Sequence, residues 1–104
     1  MQVNYDREQT IPVRRQIAEL LVAGTLSARD LSTLLSLPER EIYGHLEHLQ
    51  RSLQSSGQKL VVIPSRCLKC EFEFSKRSRL KKPGRCPRCR ATHISAPLFN
   101  IINT

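Results

Sequence analysis

The chain has 104 residues, a formal net charge of +8, three phenylalanines, two tyrosines and no tryptophan. That length suits one domain of ordinary size or two very small ones, with a core that must rest on leucine, isoleucine and valine. It contains no apolar run of the roughly eighteen residues that a membrane-spanning helix needs, and partners in a membrane are not expected.

The charge is segregated. Residues 1–64 hold seven Lys/Arg and seven Asp/Glu, whereas residues 65–104 hold ten and two. The whole excess therefore belongs to the last forty or so residues, and a basic face of that size points to a polyanion. The bland reading, a face kept charged for solubility, stands beside it.

Residues 11–24 read as an amphipathic helix. Thr10 can cap it, Pro12 is tolerated in the first turn, and Ile17, Leu20 and Leu21 follow helical spacing up to Gly24 as terminator. Ser27, with Asp30 three residues on, opens a second helix through an acidic relative of the capping box, and Leu31, Leu34 and Leu35 supply its stripe. Ser36 and Glu39 frame a third helix, 38–54, with Pro38 in its first turn and Ile42, Leu46, Leu49 and Leu53 along one face. The short break between helices two and three is the layout of a helix-turn-helix. A plain three-helix bundle or a protein-docking module would use the same leucines.

At about 100° per residue, the face of helix three opposite its leucines carries Arg40, Gly44, Glu47 and Arg51, flanked by Tyr43 and His48. In a major groove the arginines suit guanine edges or phosphates, and Gly44 permits close approach. Glu41 and Glu47 oppose a polyanion, although Glu47 can accept from a cytosine amine. This helix alone should bind DNA weakly. His45, His48 and His93 are read as solvated or phosphate-contacting side chains rather than metal ligands.

After the Ser55-Ser56-Gly57 turn signal, Leu60-Val61-Val62-Ile63 forms a short β-rich run ending at Pro64, and Leu98 to Ile102 forms another after Pro97. Together they can make the two-stranded wing that follows a recognition helix, with the intervening segment inserted at its tip. A separate module after a linker is the alternative.

That segment holds every cysteine, as Cys67-Leu68-Lys69-Cys70 and Cys86-Pro87-Arg88-Cys89, with fifteen residues between the pairs. Two CxxC turns at this distance can present four thiolates to one tetrahedral ion, and four sulfurs leave a closed, structural site. Disulfides would require an oxidising compartment, and no apolar export segment is read at the N-terminus, so a reducing cytoplasm is expected. A thioredoxin-like site needs a βαβ setting that the pattern does not offer. Iron of the rubredoxin type fits the same sulfurs, but rubredoxins usually place glycine just after each second cysteine. Here Glu71 and Arg90 stand there, so zinc is favoured and iron is the minor alternative.

Between the pairs, Phe72 and Phe74 alternate with polar residues as in a half-buried strand. Lys76, Arg77, Arg79, Lys81, Lys82 and Arg85 follow in a basic loop turned by Pro83-Gly84. Forty residues with Phe72, Leu80 and Ile94 as a miniature core cannot fold unaided, so metal must supply most of the folding energy. The three helices are expected to stand without it.

Cys-x-x-Cys-x-Phe followed by Pro-Gly-Arg-Cys-Pro-x-Cys, behind a short winged helix-turn-helix, resembles small prokaryotic proteins described as predicted transcriptional regulators in which a helix-turn-helix is fused to a zinc ribbon. The likeness covers roughly residues 10–102 and rests on the four cysteines with Phe72, Pro83, Arg85 and Pro87. It implies a winged-helix fold with a rubredoxin-like or ribbon-like metal module, and DNA binding by analogy.

The expectation is thus an α+β chain in three parts: residues 1–64, a helix-turn-helix domain with the first wing strand; 65–96, a four-cysteine zinc ribbon; and 97–104, a strand pairing with 60–63. Zinc would be held by Cys67, Cys70, Cys86 and Cys89. Double-stranded DNA would be read by Arg40, Tyr43, Gly44 and Arg51 and held through phosphates by Lys76, Arg77, Arg79, Lys81, Lys82 and Arg85. The alternative is a ribbon that binds RNA or ribonucleoprotein while the helices dock a protein. No catalytic pair stands out, so an enzyme is not expected. A homodimer is compatible with either reading.

Overall fold

The computed structural model describes residues 11–75 and 80–104. Thr10, Lys76, Arg77 and Arg79 lie outside them. In chain order the elements are α1 (Val13–Ala23), β1 (Leu26–Ser27), α2 (Ala28–Leu35), α3 (Glu39–Ser52), a 3-10 turn (Leu53–Ser56), β2 (Gln58–Ile63) and β3 (Leu98–Asn103). The architecture is mixed α+β, three helices against a small sheet of order β1-β3-β2.

α1 begins two residues later than its periodicity suggests. Pro12 occupies the N-cap with extended backbone, and its carbonyl accepts from the Gln16 amide at 3.0 Å. Proline has no amide to lose there, so the helix starts without a side-chain cap. Ile17 and Leu21, one turn apart, are fully buried. α2 opens on the reciprocal box: Ser27 Oγ accepts from the Asp30 amide, and Asp30 Oδ2 accepts from the Ser27 amide, both at 3.0 Å.

The second box, between Ser36 and Glu39, does not form. Ser36 sits in the left-handed region (φ 56°, ψ 46°) as the C-cap of α2, donating its amide to the Ser32 carbonyl. The Ser32 hydroxyl donates to the Leu37 carbonyl and fixes the corner. A serine committed to stopping one helix cannot hold the extended conformation that an N-cap needs. α3 instead starts at Glu39 behind an uncapped Pro38, and Glu39 and Glu41 in its first turn favour the positive end of the helix dipole. It ends at Ser52, and a 3-10 turn carries Leu53 onward. Ile42, Leu46, Leu49 and Leu53 are all buried, from 0 % to 7 % exposed.

β2 and β3 pair antiparallel over their whole length, from Gln58↔Asn103 to Ile63↔Leu98. Gly57, with φ of 74°, makes the left-handed step into β2 that a side chain would strain. Alternation turns Leu60, Val62, Phe99 and Ile101 toward the helices, and leaves Ile63 and Ile102 on the outer face at 40 % and 47 % exposure. β1 is a two-residue strand pairing Leu26 with Phe99 and Ser27 with Leu98.

Residues 64–97 leave the end of β2 and return to the start of β3. Backbone bonds lace this segment: the Cys67 amide to the Phe72 carbonyl at 2.8 Å, Leu68 to His93 at 2.8 Å, Phe74 to Ser65 at 3.0 Å, and Ser95 to Arg66 at 2.9 Å. The run around Phe72 makes a single bridge, Arg66↔Glu73, rather than a strand, though its burial alternates as expected.

Leu80 corrects the sequence reading most. It lies between the two cysteine pairs yet is 4 % exposed and belongs to the core built by Ile17, Leu31, Leu46 and Phe99. The cysteine segment is therefore stitched into the helical core and has no separate miniature one containing Leu80. Replacing a buried leucine by alanine removes its transfer energy and leaves a cavity, at about 2–4 kcal/mol. Leu80→Ala should lower the unfolding free energy of the metal-loaded chain by that amount, read as a fall of at least about 1 M in the urea midpoint of the helical circular dichroism. An unchanged midpoint would place Leu80 outside the helical core.

Candidate metal centre and adjoining basic surface

The two CxxC turns are the same local structure made twice. In the first, the Glu71 amide donates to the Cys67 carbonyl at 2.8 Å; in the second, the Arg90 amide donates to the Cys86 carbonyl at 2.8 Å. Each turn then aims an amide at its leading sulfur, Cys70 to Cys67 Sγ at 3.5 Å and Arg88 to Cys86 Sγ at 3.4 Å. Glu71 and Arg90 close the turns with φ of 67° and 65°. Both positions thus have the backbone that glycine suits, so the absence of glycine does not discriminate between zinc and iron.

The turns face each other. Cys67 Sγ lies 3.5 Å from Cys89 Sγ, and Cys70 Sγ lies 3.6 Å from Cys86 Sγ. All four sulfurs fall within 4.8 Å of one another. A disulfide would bring a pair to about 2.05 Å, whereas a tetrahedron of sulfurs at about 2.3 Å from a central ion has edges near 3.8 Å. The observed spacing fits the ion. Cys67 and Cys86 are buried and Cys70 and Cys89 half-buried, so the cluster is screened from solvent. Phe72 and Phe74 meet edge to face at 5.1 Å beside it, and the Arg88 guanidinium lies 5.4 Å over the Phe72 ring, tying the second turn to the first.

The thiols are inequivalent. The Cys70 amide beside its sulfur draws Cys67 down to about 6, against the effect of burial. Cys70 moves the other way, to about 11: the Phe72 amide favours its thiolate, but burial and the other three sulfurs outweigh it. For Cys86, burial is overcome by the Cys89 and Arg88 amides, and the thiol is lowered. Four anionic sulfurs this close repel one another until a cation neutralises them. The cluster can therefore hold a single metal ion, and all four donors would be protein sulfurs.

On α3, Arg40, Gly44, Glu47 and Arg51 are exposed, opposite the buried stripe. Tyr43 is not on that face. It is half-buried against the core, and burial followed by the Glu39 carboxylate raises its hydroxyl pKa while the Lys82 backbone amide beside it opposes them. Tyr43 is thus a contact between α3 and the basic loop rather than a free side chain. Lys81, Lys82 and Arg85 are exposed, and Lys82 is brought beside α3 by this contact. The His93 side chain is exposed and outside the sulfur cluster; only its carbonyl is used, by Leu68.

One basic feature had no sequence signal. Arg14, from α1, joins Glu41, Gly44, His45, His48 and Arg51 around an open cleft against α3. Helical spacing can place residues on a face, but it cannot say which neighbouring helix lies alongside.

Together these define a class: a mixed α+β chain of three helices and a three-stranded sheet, with a four-cysteine metal module between the last two strands. Residues 13–61 match the family described as PF0610-like, N-terminal. Over its full length the chain is similar to protein PF0610 from Pyrococcus furiosus, whose structure was solved by solution NMR. The TM-score is 0.78 at 25 % identity, covering 100 % of this chain and 98 % of that one. Nothing matched among the curated proteins. Neither description mentions DNA or regulation, so the likeness is one of fold. Among the described residues no helix is long and apolar enough to cross a membrane.

Metal binding at pH about 7 should release at least the Cys70 proton, so apparent affinity falls on acidification, and more steeply once pH drops below about 6, where Cys67 is also protonated. Competition with a chromophoric chelator across that range checks the sign. Complete chelation should collapse the amide signals of residues 65–96 and, through Leu80, lower the melting temperature of the helices as well. Helices that melt unchanged without metal would contradict this coupling.

Proposed function

We propose that this chain is a winged helix-turn-helix regulator that binds double-stranded DNA, with a structural zinc holding its basic ribbon beside the reading helix. The observation that carries this is the Lys82 backbone beside Tyr43: it brings the exposed Lys82 to the flank of α3, one side of which is the exposed Arg40–Gly44–Arg51 face. The element order supports the winged reading, because β1 precedes α2 and the β2–β3 pair directly follows α3. The ribbon then occupies the place of the wing's tip.

The two surfaces divide the work. α3 is close to neutral, with Glu39, Glu41 and Glu47 offsetting Arg40 and Arg51, so it suits base contacts better than bulk affinity. The loop cations supply most of the phosphate term. Zinc fits a closed set of four sulfurs with no redox demand. A closed shell leaves no position for substrate, and the proposal assigns the metal no catalytic role. Reduced thiolates suit a cytoplasmic setting, and a two-fold operator would be met by a homodimer.

Elemental analysis should return one zinc per chain; an intense visible absorption would mark iron instead. In a gel shift at fixed salt, duplex DNA should outcompete structured RNA of equal length, and genomic-fragment selection should return a site. A preference for RNA would favour the ribonucleoprotein reading, in which the near-neutral helices dock a protein. If five loop cations meet phosphates, log affinity falls against log salt with a slope of about −4.5. The pair Lys82→Gln and Arg85→Gln should weaken all sequences alike and flatten that slope by about 1.8. Lost selectivity with an unchanged slope would reverse the assignment of roles.

A further inference from the structure

The cleft between α1 and α3 has a makeup that packing does not explain. Its walls carry Arg14 from α1 and His45, His48 and Arg51 from α3, with Glu41 as the one carboxylate. Arg14 Nε is shielded from solvent and meets no acceptor among the described residues. At the floor lies Gly44, in the middle of a fourteen-residue helix. Glycine there costs about 0.5–1 kcal/mol relative to alanine. No neighbour requires it, because a Cβ built at Gly44 meets nothing within 4 Å. A helical glycine that no described residue crowds, lining the same cleft as an arginine donor without a described acceptor and two imidazoles, fits an external anion approaching the helix backbone.

We propose that this cleft is a phosphate seat, in which Arg14 and Arg51 anchor one phosphate group, the His45 and His48 rings donate to it, and Gly44 leaves the helix backbone open. The space, about 450 Å³ and broadly open to solvent, is more than a lone phosphate ion fills, so a phosphate carried on a larger molecule is not crowded out. The ligand is therefore a phosphate group, carried by nucleic acid or by a small phosphorylated molecule. The nucleic-acid arm rests on the duplex-binding reading; the seat itself does not.

Charge makes the seat pH-dependent. Among the described residues two arginines face one carboxylate and the cleft is weakly positive; a proton on His48 makes it more so. His48 lies below the ordinary imidazole range because of partial screening from water, then Arg14, Arg51 and His45. Glu41 is the one carboxylate lining the cleft among the described residues. A phosphate between the arginines offsets the repulsion that keeps the proton off His48. Binding should take up a proton and strengthen as pH falls.

The test uses the full metal-loaded chain, following the histidine ring signals by NMR. Inorganic phosphate should move the His45 and His48 signals and raise the His48 midpoint, and dimethyl phosphate, whose single charge is constant over the range, should bind at least about five-fold more tightly at pH about 5.5 than at about 7.5. Arg14→Gln should weaken phosphate about five- to ten-fold, and Gly44→Ala should do likewise while leaving the chain at least as stable. A short duplex should move the same signals, and Arg14→Gln should reduce its affinity. If duplex binds but neither it nor phosphate moves the rings, the seat is refuted while the duplex reading survives. If phosphate moves them and duplex does not bind, the seat stands with a small phosphorylated ligand and the duplex reading fails. Phosphate binding unchanged in both variants also overturns the seat.

Discussion

The convergence of four sulfurs governs more than the segment that carries them. β2 and β3 are paired residue for residue, yet residues 64–97 intervene. Closing a loop of that length costs about 2–3 kcal/mol more than closing a two-residue turn, and ordering its residues costs more again. Metal ligation in small zinc modules contributes an apparent 10–16 kcal/mol or so, which is ample to offset the difference. Once the two turns are clamped, the chain leaves and re-enters the sheet a strand's width apart. The sheet in turn presents Phe99 and Ile101 to the helices. Sulfur geometry, sheet closure and helical core are therefore links of one chain of dependence.

Leu80 and Tyr43 close that chain from the other side. Leu80 inserts into the core from between the cysteine pairs, and Tyr43 meets the Lys82 backbone from α3. Together they fix where Lys81 and Lys82 stand relative to the near-neutral helices. The proposed division between a reading helix and a phosphate-binding loop depends on that placement more than on the number of cations.

What the sequence revealed was whatever is specified locally. The buried stripe of α3 follows from spacing alone, the Ser27–Asp30 box from two side chains three residues apart, and the metal cluster from two short turns. Ser36 shows where local signals end. Its pattern with Glu39 is as good a box as the first, but ending α2 and starting α3 are competing demands on one residue, and the corner needed the first. β1 is too short to have a period. Leu80 looks like a ribbon residue because its sequence neighbours are ribbon residues, and its partners are decided by tertiary packing. Arg14 gave no hint of its cleft for the same reason. Glu71 and Arg90 looked like departures from a glycine pattern, yet their backbones keep that pattern's geometry.

The sheet order leaves β2 at an edge. Its Leu60-Val61-Val62-Ile63 run is uncharged and strongly β-prone, guarded at its ends by Lys59 and by Pro64, which cannot donate to a neighbouring strand. In the folded chain β3 satisfies the other side of this run, and the metal module holds β3 in place. A chain that loses its ion therefore uncovers both sides of a short segment suited to pairing with copies of itself. Metal supply would then bear on colloidal fate as well as on folding, since four sulfurs without an ion would leave this β-prone strand open to self-pairing.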